Sequence, residues 1–209
     1  MFKEIILNKH IKKFVGLGGL TPVLAGIFYA ADGCVYATNR HYAIRVRDAH
    51  KLSSPVILHA KTGAPIEGQY PDVEKVFNDV QYAGEFSYTE PKEFNQALFA
   101  AECALAVALK IDKRVPLIRL AYLDGRIHLF AKDEENTVSF RGFFGTYDKE
   151  DFPLIILNAN YLANAMTVFS EIPFEGVKVR FSSPHNPILI TDEANVDVII
   201  LPVRSSTNS

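Results

Sequence analysis

One pattern recurs three times along this chain, and a recurring unit constrains the architecture more than any single motif does. The unit is a short apolar strand, a helix, a β-hairpin and a further strand. In the first copy, Glu4-Ile5-Ile6-Leu7 reads as the strand, and Asn8 reads as the N-cap of a helix through Lys9 to Val15. Gly16, Gly18 and Gly19 stop that helix. Hairpin strands 26–30 and 34–38 follow, joined at Asp32-Gly33, a pair whose tolerance of positive φ suits a tight turn, and Tyr42-Ala43-Ile44-Arg45-Val46 completes the copy.

The second copy opens with Glu85-Phe86-Ser87-Tyr88, then a helix with Thr89 as cap and Pro91 in its first turn, carrying Phe94, Leu98, Ala101 and Leu105 at helical spacing. Its hairpin strands, 117–121 and 126–130, flank Asp124-Gly125, and Thr137-Val138-Ser139-Phe140 is the next strand. In the third copy, Leu154-Ile155-Ile156-Leu157-Asn158 echoes the opening run of the first. A helix through Tyr161, Leu162, Ala165, Met166 and Phe169 follows, then strands at 177–181, 187–190 and 196–201. This pattern predicts an α+β fold of repeated β-α-β-β-β units, with helices packed on antiparallel sheets. The second and third copies make one complete domain, 83–204. Residues 1–82 are a shortened domain plus a connector (53–82) holding a strand at 55–59 and the loop Gly68-Gln69-Tyr70-Pro71-Asp72, and 205–209 read as a flexible tail.

With 209 residues, 48% of them hydrophobic and 22% charged, the chain has the composition of an ordinary globular protein with a proper core. No stretch approaches the roughly 20 uninterrupted apolar residues of a membrane span, and the first residues lack the profile of a secretion signal, so a cytoplasmic location and no membrane partner are expected. Cys34 and Cys103 are far apart and lack metal-ligand spacing, which reads as buried thiols in a reducing compartment. The formal net charge of −2 leaves no global basic excess for nucleic acid, so any DNA contact must come from local arrangement.

The residue patterns that carry chemistry are missing. The six histidines form no zinc motif, and the nine-residue spacing of His41, His50 and His59 crosses strands and loops. The glycines at 16–19 follow a helix, whereas a phosphate cradle needs them before one. Glu134-Glu135 and Glu150-Asp151 sit in polar turns, and no serine has a nucleophile-elbow setting. No catalytic residue, no metal and no cofactor is expected.

Four segments in register resemble the bacterial DNA polymerase III β subunit, the sliding-clamp family. Ala37-Thr38-Asn39-Arg40-His41-Tyr42-Ala43-Ile44 is similar to that family's Ala-Thr-Asp-Gly-His-Arg-Leu-Ala, and Glu67-Gly68-Gln69-Tyr70-Pro71-Asp72-Val73-Glu74-Lys75-Val76 to its Asp-Gly-Arg-Phe-Pro-Asp-Tyr run. Asn158-Ala159-Asn160-Tyr161-Leu162 resembles an Asn-Val-x-Tyr-Leu helix start, and Pro187-Ile188-Leu189-Ile190 with Val198-Ile199-Ile200-Leu201-Pro202-Val203-Arg204 resembles the C-terminal strands. The match covers the family's last domain in full and a cut-down middle domain; the family's first domain has no counterpart here.

The resemblance implies a DNA-clamp-like fold and a non-catalytic protein that tethers or modulates DNA replication proteins. It implies a pocket for a short clamp-binding peptide of the Gln-x-x-Leu-Phe type, carried by polymerase or loader subunits. Matching positions are Thr38, His41, Tyr42, Pro71 and Val76, with Ile199, Ile200, Leu201, Pro202, Val203 and Arg204 as the C-terminal wall; read from residues alone, the last run is equally a buried strand. Arg40 replaces a family glycine and Tyr42 a family arginine, and both can reshape the pocket. Duplex DNA bound without sequence specificity is also implied. Lys9, Lys12 and Lys13 are either a weak DNA-facing patch or a solvated helix face, and the helix from Asn158 has no basic residue. A homo-oligomer is implied too: three chains could close a ring, while the alternative is a phage- or mobile-element-type competitor that binds clamp peptides as a monomer or open dimer and never encircles DNA.

Overall fold

The computed structural model describes residues 2–133, 135 and 137–204. The expected tail at 205–209 and Glu134 of the acidic pair lie outside the described residues.

The chain begins with a helical segment, α1 (Phe2–Ile5), which continues as a π-turn (Ile6–His10) and a 3₁₀ turn (Ile11–Lys13). The strand expected at 4–7 is therefore absent, and Asn8 sits inside helical backbone and caps nothing. The physical reason lies in spacing: Ile6, His10, Ile11 and Phe14 are all fully buried, and intervals of four, five and eight put them on one side of a helix. The apolar run Ile5-Ile6-Leu7 is too short to distinguish helix from strand by itself.

The first hairpin is β1 (Gly26–Tyr29) and β2 (Val35–Thr38), followed by β3 (Tyr42–Val46). The stretch read as a connector does more than connect. It supplies β4 (Val56–His59), which pairs antiparallel with β1, and α2 (Val73–Asp79), a helix that sequence reading missed. Asp72 caps α2 by accepting a hydrogen bond from the Lys75 amide.

The second unit is β5 (Gly84–Tyr88), α3 (Pro91–Ile111), β6 (Leu117–Leu123), β7 (Arg126–Lys132) and β8 (Ser139–Thr146). Thr89 does not cap α3: Glu90 holds that position without a side-chain bond, and Pro91 in the first turn lacks the N–H that a cap would satisfy. Asp124 and Gly125 both have positive φ, the geometry of a two-residue hairpin turn. β8 starts two residues later than expected and runs to Thr146, with a bulge opposite Ile127 and His128. The third unit is β9 (Ile155–Asn158), α4 (Ala159–Phe169), β10 (Val177–Phe181), β11 (Ile188–Thr191) and β12 (Val196–Ile200). Asn158 caps α4 through the Asn160 amide.

The strands form an eight-stranded antiparallel sheet, ordered β4-β1-β2-β3-β12-β11-β10-β5, and a four-stranded one, ordered β8-β7-β6-β9. The fold is thus α+β, with helices packed on antiparallel sheets. Buried alanines at 97, 100, 101, 104 and 108 let one side of α3 lie close to β7, β8 and α4; the helix, 21 residues long, is also long and apolar enough by composition to cross a membrane. Cys34 and Cys103 are free and only half-buried, short of the full burial expected; Cys34 packs against the edge of the second cluster.

The large sheet is continuous because β3 pairs with β12, from Tyr42↔Ile200 to Val46↔Val196. Both strands are buried on two faces. Tyr42, Ile44, Val46, Val196, Val198 and Ile200 point to the main core with the helices. The alternate residues Ala43 and Ile199 point to a second cluster, where Tyr70, Val73 and Phe77 of the connector and α2 cover the outer face. On that face Asp197, 1% exposed, accepts from Arg45 Nε at 2.7 Å and Thr191 Oγ1 at 2.6 Å, with Arg47 Nη2 at 2.6 Å. Arg45 also lies over the Phe77 ring at 4.8 Å and donates to Asn78 Oδ1 at 3.1 Å, tying α2 to the junction.

The helical start is tied to the end of α4 in turn. Glu171 pairs with Lys9 and with Nε2 of His10, 3.2 Å away, and His10 is fully buried with no partner for Nδ1 among the described residues.

Two outcomes are expected. Asp197→Ala leaves two guanidinium groups facing each other at the junction, and should lower the unfolding free energy by about 3 kcal/mol, read as a reduced urea midpoint at unchanged slope. Burial, opposed by Glu171 and aided by Lys13, lowers the His10 pKa below its ordinary value. The native state then binds fewer protons than the unfolded one, so stability is full above the unfolded pKa of about 6.5 and falls as pH drops below it. His128, lowered by burial and Arg141, acts in the same direction. His10→Gln should flatten part of the stability profile below about pH 6.5, and an unaltered slope would rule His10 out as its source.

Candidate functional site

The β3–β12 junction opens, at the Tyr42–Ile200 end, into a groove of about 210 Å³ on the outer face of the sheet. Its lining comes from three places: the β2–β3 turn, the exit of β12, and the segment that leads into α2.

The turn is built by polar side chains bonding backbone. Asn39 Oδ1 accepts from the amides of His41 and Tyr42 at 2.9 and 3.1 Å, and Thr38 Oγ1 donates to the Tyr42 carbonyl at 2.8 Å while accepting from the Arg40 amide at 3.0 Å. Arg40 has φ of +78°, left-handed backbone that favours glycine, and its guanidinium reaches away to Thr21 Oγ1 at 2.8 Å. The turn is joined to the connector by Tyr70, whose hydroxyl accepts from the Thr38 amide at 3.1 Å; burial pushes the Tyr70 phenol above its ordinary pKa.

Tyr42 closes the inner end. Its ring stacks on Phe14 at 4.5 Å and on Tyr161 at 4.1 Å, its hydroxyl donates to the Lys13 carbonyl, and burial raises its pKa. His41 lies against Tyr161 at 6.3 Å. A helix from the first unit and a helix from the third thus meet across one tyrosine.

The structure brings Thr38, His41, Tyr42, Pro71, Val76, Ile199 and Leu201 into this one groove, together with Arg40, Ala43, Asp72 and Val73. Leu201 and Val76, 36% and 39% exposed, are apolar side chains left open to water at its edge. The other four expected wall residues are not in the lining. Strand alternation turns Ile200 to the opposite face, where it is fully buried in the main core. Beyond the strand, the Val203 amide donates to the Ile156 carbonyl at 2.8 Å, which draws 202–204 toward β9 and away from the groove. A contiguous run cannot line one face of a strand, and period-two reading of 199–201 would have separated Ile200 from its neighbours. Ala43 falls in phase with Ile199, and Asp72-Val73 would have been found had the Val73, Val76, Phe77 spacing been read as helical.

The backbone and the Thr38 and Asn39 side chains of the turn are hydrogen-bonded within it, the Arg40 guanidinium and the Asp72 carboxylate bond Thr21 and the α2 amide of Lys75, and the open surface of the groove is almost wholly apolar. Among the described residues no three of His, Cys, Asp and Glu converge as a metal site would require, and His41, His50 and His59 lie apart. His50 Nε2 contacts the Cys34 carbonyl at 3.1 Å, and His59 Nδ1 accepts from the Thr62 amide at 3.2 Å. Of the lysines expected to face DNA, Lys9 is paired with Glu171. Lys12 and Lys13 are exposed on the helical start.

No protein-family model and no curated protein matches the sequence. Solved structures do match the fold. The β chain of DNA polymerase III from Streptococcus pneumoniae superimposes with a TM-score of 0.78 at 14% identity, covering 98% of this chain and 63% of that one. The sliding clamp from Bacillus subtilis gives 0.77 at 15% identity, covering 97% and 63%. The β sliding clamp from Caulobacter crescentus gives 0.76 at 18% identity, covering 98% and 64%. The chain has the fold of bacterial sliding clamps, and it spans about 63% of the length of these neighbours.

Proposed function

We propose that this chain is a non-catalytic, sliding-clamp-like protein that holds a short peptide of a replication protein in the groove between β3, β12 and α2. In this reading residues 1–82 and 83–204 act as a shortened and a complete clamp-like domain, and the groove lies where they join. The observation that carries it is the aliphatic opening at Leu201 and Val76, fixed by a turn whose polar groups are already satisfied. Such a site gains affinity by burying a few apolar anchors of an extended or helical peptide, with backbone and rim polar groups setting orientation. Leu201 is held at the rim because its amide donates to the His41 carbonyl at 2.8 Å, so it need not be ordered when a ligand binds. The solved clamps share the fold, and the reading is supported by the fact that all three lining segments fall within stretches that resemble clamp sequences, 37–44, 67–76 and 198–204.

A second reading keeps the peptide groove and dispenses with encircled DNA. It is favoured by charge: α4 carries no basic residue, Lys9 is paired with Glu171, and the formal net charge is −2. The two readings share one site and differ in what the protein encloses.

Titration of a labelled Gln-x-x-Leu-Phe-type peptide, followed by fluorescence anisotropy, should show saturable binding of about micromolar affinity, near −8 kcal/mol. Leu201→Asp should weaken it by about tenfold or more, whereas Glu102→Gln on the far side of α3 should not change it. A folded sample that binds no such peptide would overturn the proposal. For the second reading, the protein should not co-elute with nicked circular duplex DNA at physiological salt, and retention on circles that is lost on linearising them would establish encirclement.

A further inference from the structure

The four-stranded sheet turns one face to the core and the other to water. Ile118, Leu120, Ile127, Leu129 and Ala131 are buried on the inner face, so strand alternation puts Arg119 of β6, and Arg126, His128, Phe130 and Lys132 of β7, on the outer one. Across the ladders Phe130 stands between Arg119 and Arg141, and His128 stands opposite Phe143. Strands β6 to β9 hold four cationic residues, Arg119, Arg126, Lys132 and Arg141, and no acidic one. All four cations share the outer face, in a chain whose formal net charge is −2.

A solvated sheet face gains stability by setting opposite charges across from one another. The β5–β10 end of the large sheet does this, where Lys178 and Arg180 each pair with Glu85 and Glu193. On the small sheet the one carboxylate within ion-pair reach of a cation, among the described residues, is Asp124 in the β6–β7 turn, 3.9 Å from Arg141 and 82% exposed. Rings take the place of carboxylates: Arg141 lies over Phe130 and Arg126 over Phe143, each 5.8 Å from the ring centre, and Arg141 Nη2 donates to His128 Nε2 at 3.1 Å. Arg119, Phe130 and Lys132 line, with Leu117 and Ile156, a cleft of about 260 Å³ that reaches the end of α3. Asp112, at that end, has its carboxylate held by the Arg114 and Val115 amides at 2.7 and 3.0 Å.

Uncompensated cations interleaved with aromatic rings on an open sheet suit an unpaired polynucleotide. The cations meet phosphates, while rings and guanidinium planes take the faces of unstacked bases. Phe130 and Phe143 are diagonal neighbours on adjacent strands, about 7–8 Å apart, a separation that two successive bases of an extended strand can span. A duplex offers such rings nothing, because its base faces are already stacked on one another. We propose that the outer face of β6, β7 and β8 binds single-stranded nucleic acid, with bases on Phe130 and Phe143 and phosphates on Arg119, Arg126, Lys132 and Arg141. The face lies on a different sheet from the peptide groove, so the proposal stands whether or not that groove holds a peptide.

The test is fluorescence anisotropy of labelled oligo-dT and oligo-U, each of about 20 nucleotides, titrated with the full chain at several salt concentrations. Saturable binding is expected at low salt, with log affinity falling against log salt at a slope of about −2 to −3, as three or four phosphate contacts give. Binding of either oligonucleotide supports the proposal, and the tighter of the two names the sugar. The double variant Arg119→Gln with Arg141→Gln should lower the affinity by about tenfold or more and flatten the slope by about 1. Phe130→Leu, which keeps an apolar side chain, should weaken binding by about fivefold or more at unchanged slope, and Lys178→Gln on the large sheet should change neither. Should Phe130→Leu fail to give the parent's circular dichroism spectrum, the arginine pair decides. No binding at low salt, equal affinity for a duplex of the same length, equal displacement of the oligonucleotide by poly-glutamate, or an affinity indifferent to the substitutions would each overturn the proposal.

Discussion

The antiparallel contact between β3 and β12 holds the molecule together. Without it the first hairpins would be a four-stranded sheet with one covered face and an open edge, and the rest a separate α+β unit. With it, residues 42–46 and 196–200 become central strands, covered by helices on one face and by the connector and α2 on the other. Hydrogen bonds along two strands do not choose their own register; side chains do. Here the register is selected by burial on both faces and by Asp197, which is satisfied only when Arg45 stands directly opposite and Arg47 is in reach. A slip of one residue would turn Asp197 into the apolar core and leave both arginines without a carboxylate.

The groove follows from that junction and from the period of two. Ala43, Ile199 and Leu201 share a face because every second residue does, and α2 approaches that face because Phe77 packs on Tyr36 and under Arg45. The turn before β3 then forms one lip, held by its own side chains. The site is therefore framed by hydrogen-bonded backbone on the sheet side and at the turn, while its open surface is almost wholly apolar. Such a combination suits recognition by burial of a small number of anchors.

Much of this was legible in the residues. Strands with clear alternation or apolar runs between turn dipeptides, such as β6, β7, β10 and β12, were found close to their observed bounds, and Asp32-Gly33 and Asp124-Gly125 marked both hairpin turns. The misses have local causes. At 4–7 a short isoleucine-rich run fits helix or strand, and what decides is the burial of Ile6 and Ile11 in the main core with Phe14 stacked on Tyr42, which no local window contains. α2 was missed because seven residues give barely two turns of periodicity, and its partners lie in another part of the chain. In the groove, a family likeness supplied the neighbourhood but not the face: Ile200 was grouped with Ile199 and Leu201 because the likeness is a run of letters, whereas the lining is set by strand geometry.

The two residues that close the buried ionic cluster, Arg45 and Asp197, are 152 positions apart. A ribosome adding about 5–20 residues per second needs on the order of ten seconds to travel that distance. Throughout this interval β3 has been made and its partner has not, so a bare strand edge carrying Tyr42, Ile44 and Val46 waits in the nascent chain. The junction that defines the finished molecule thus needs a residue made long after its first strand, and until β12 arrives the arginines at 45 and 47, charged and without the Asp197 carboxylate, give the waiting edge the kind of charge that discourages pairing with other strands.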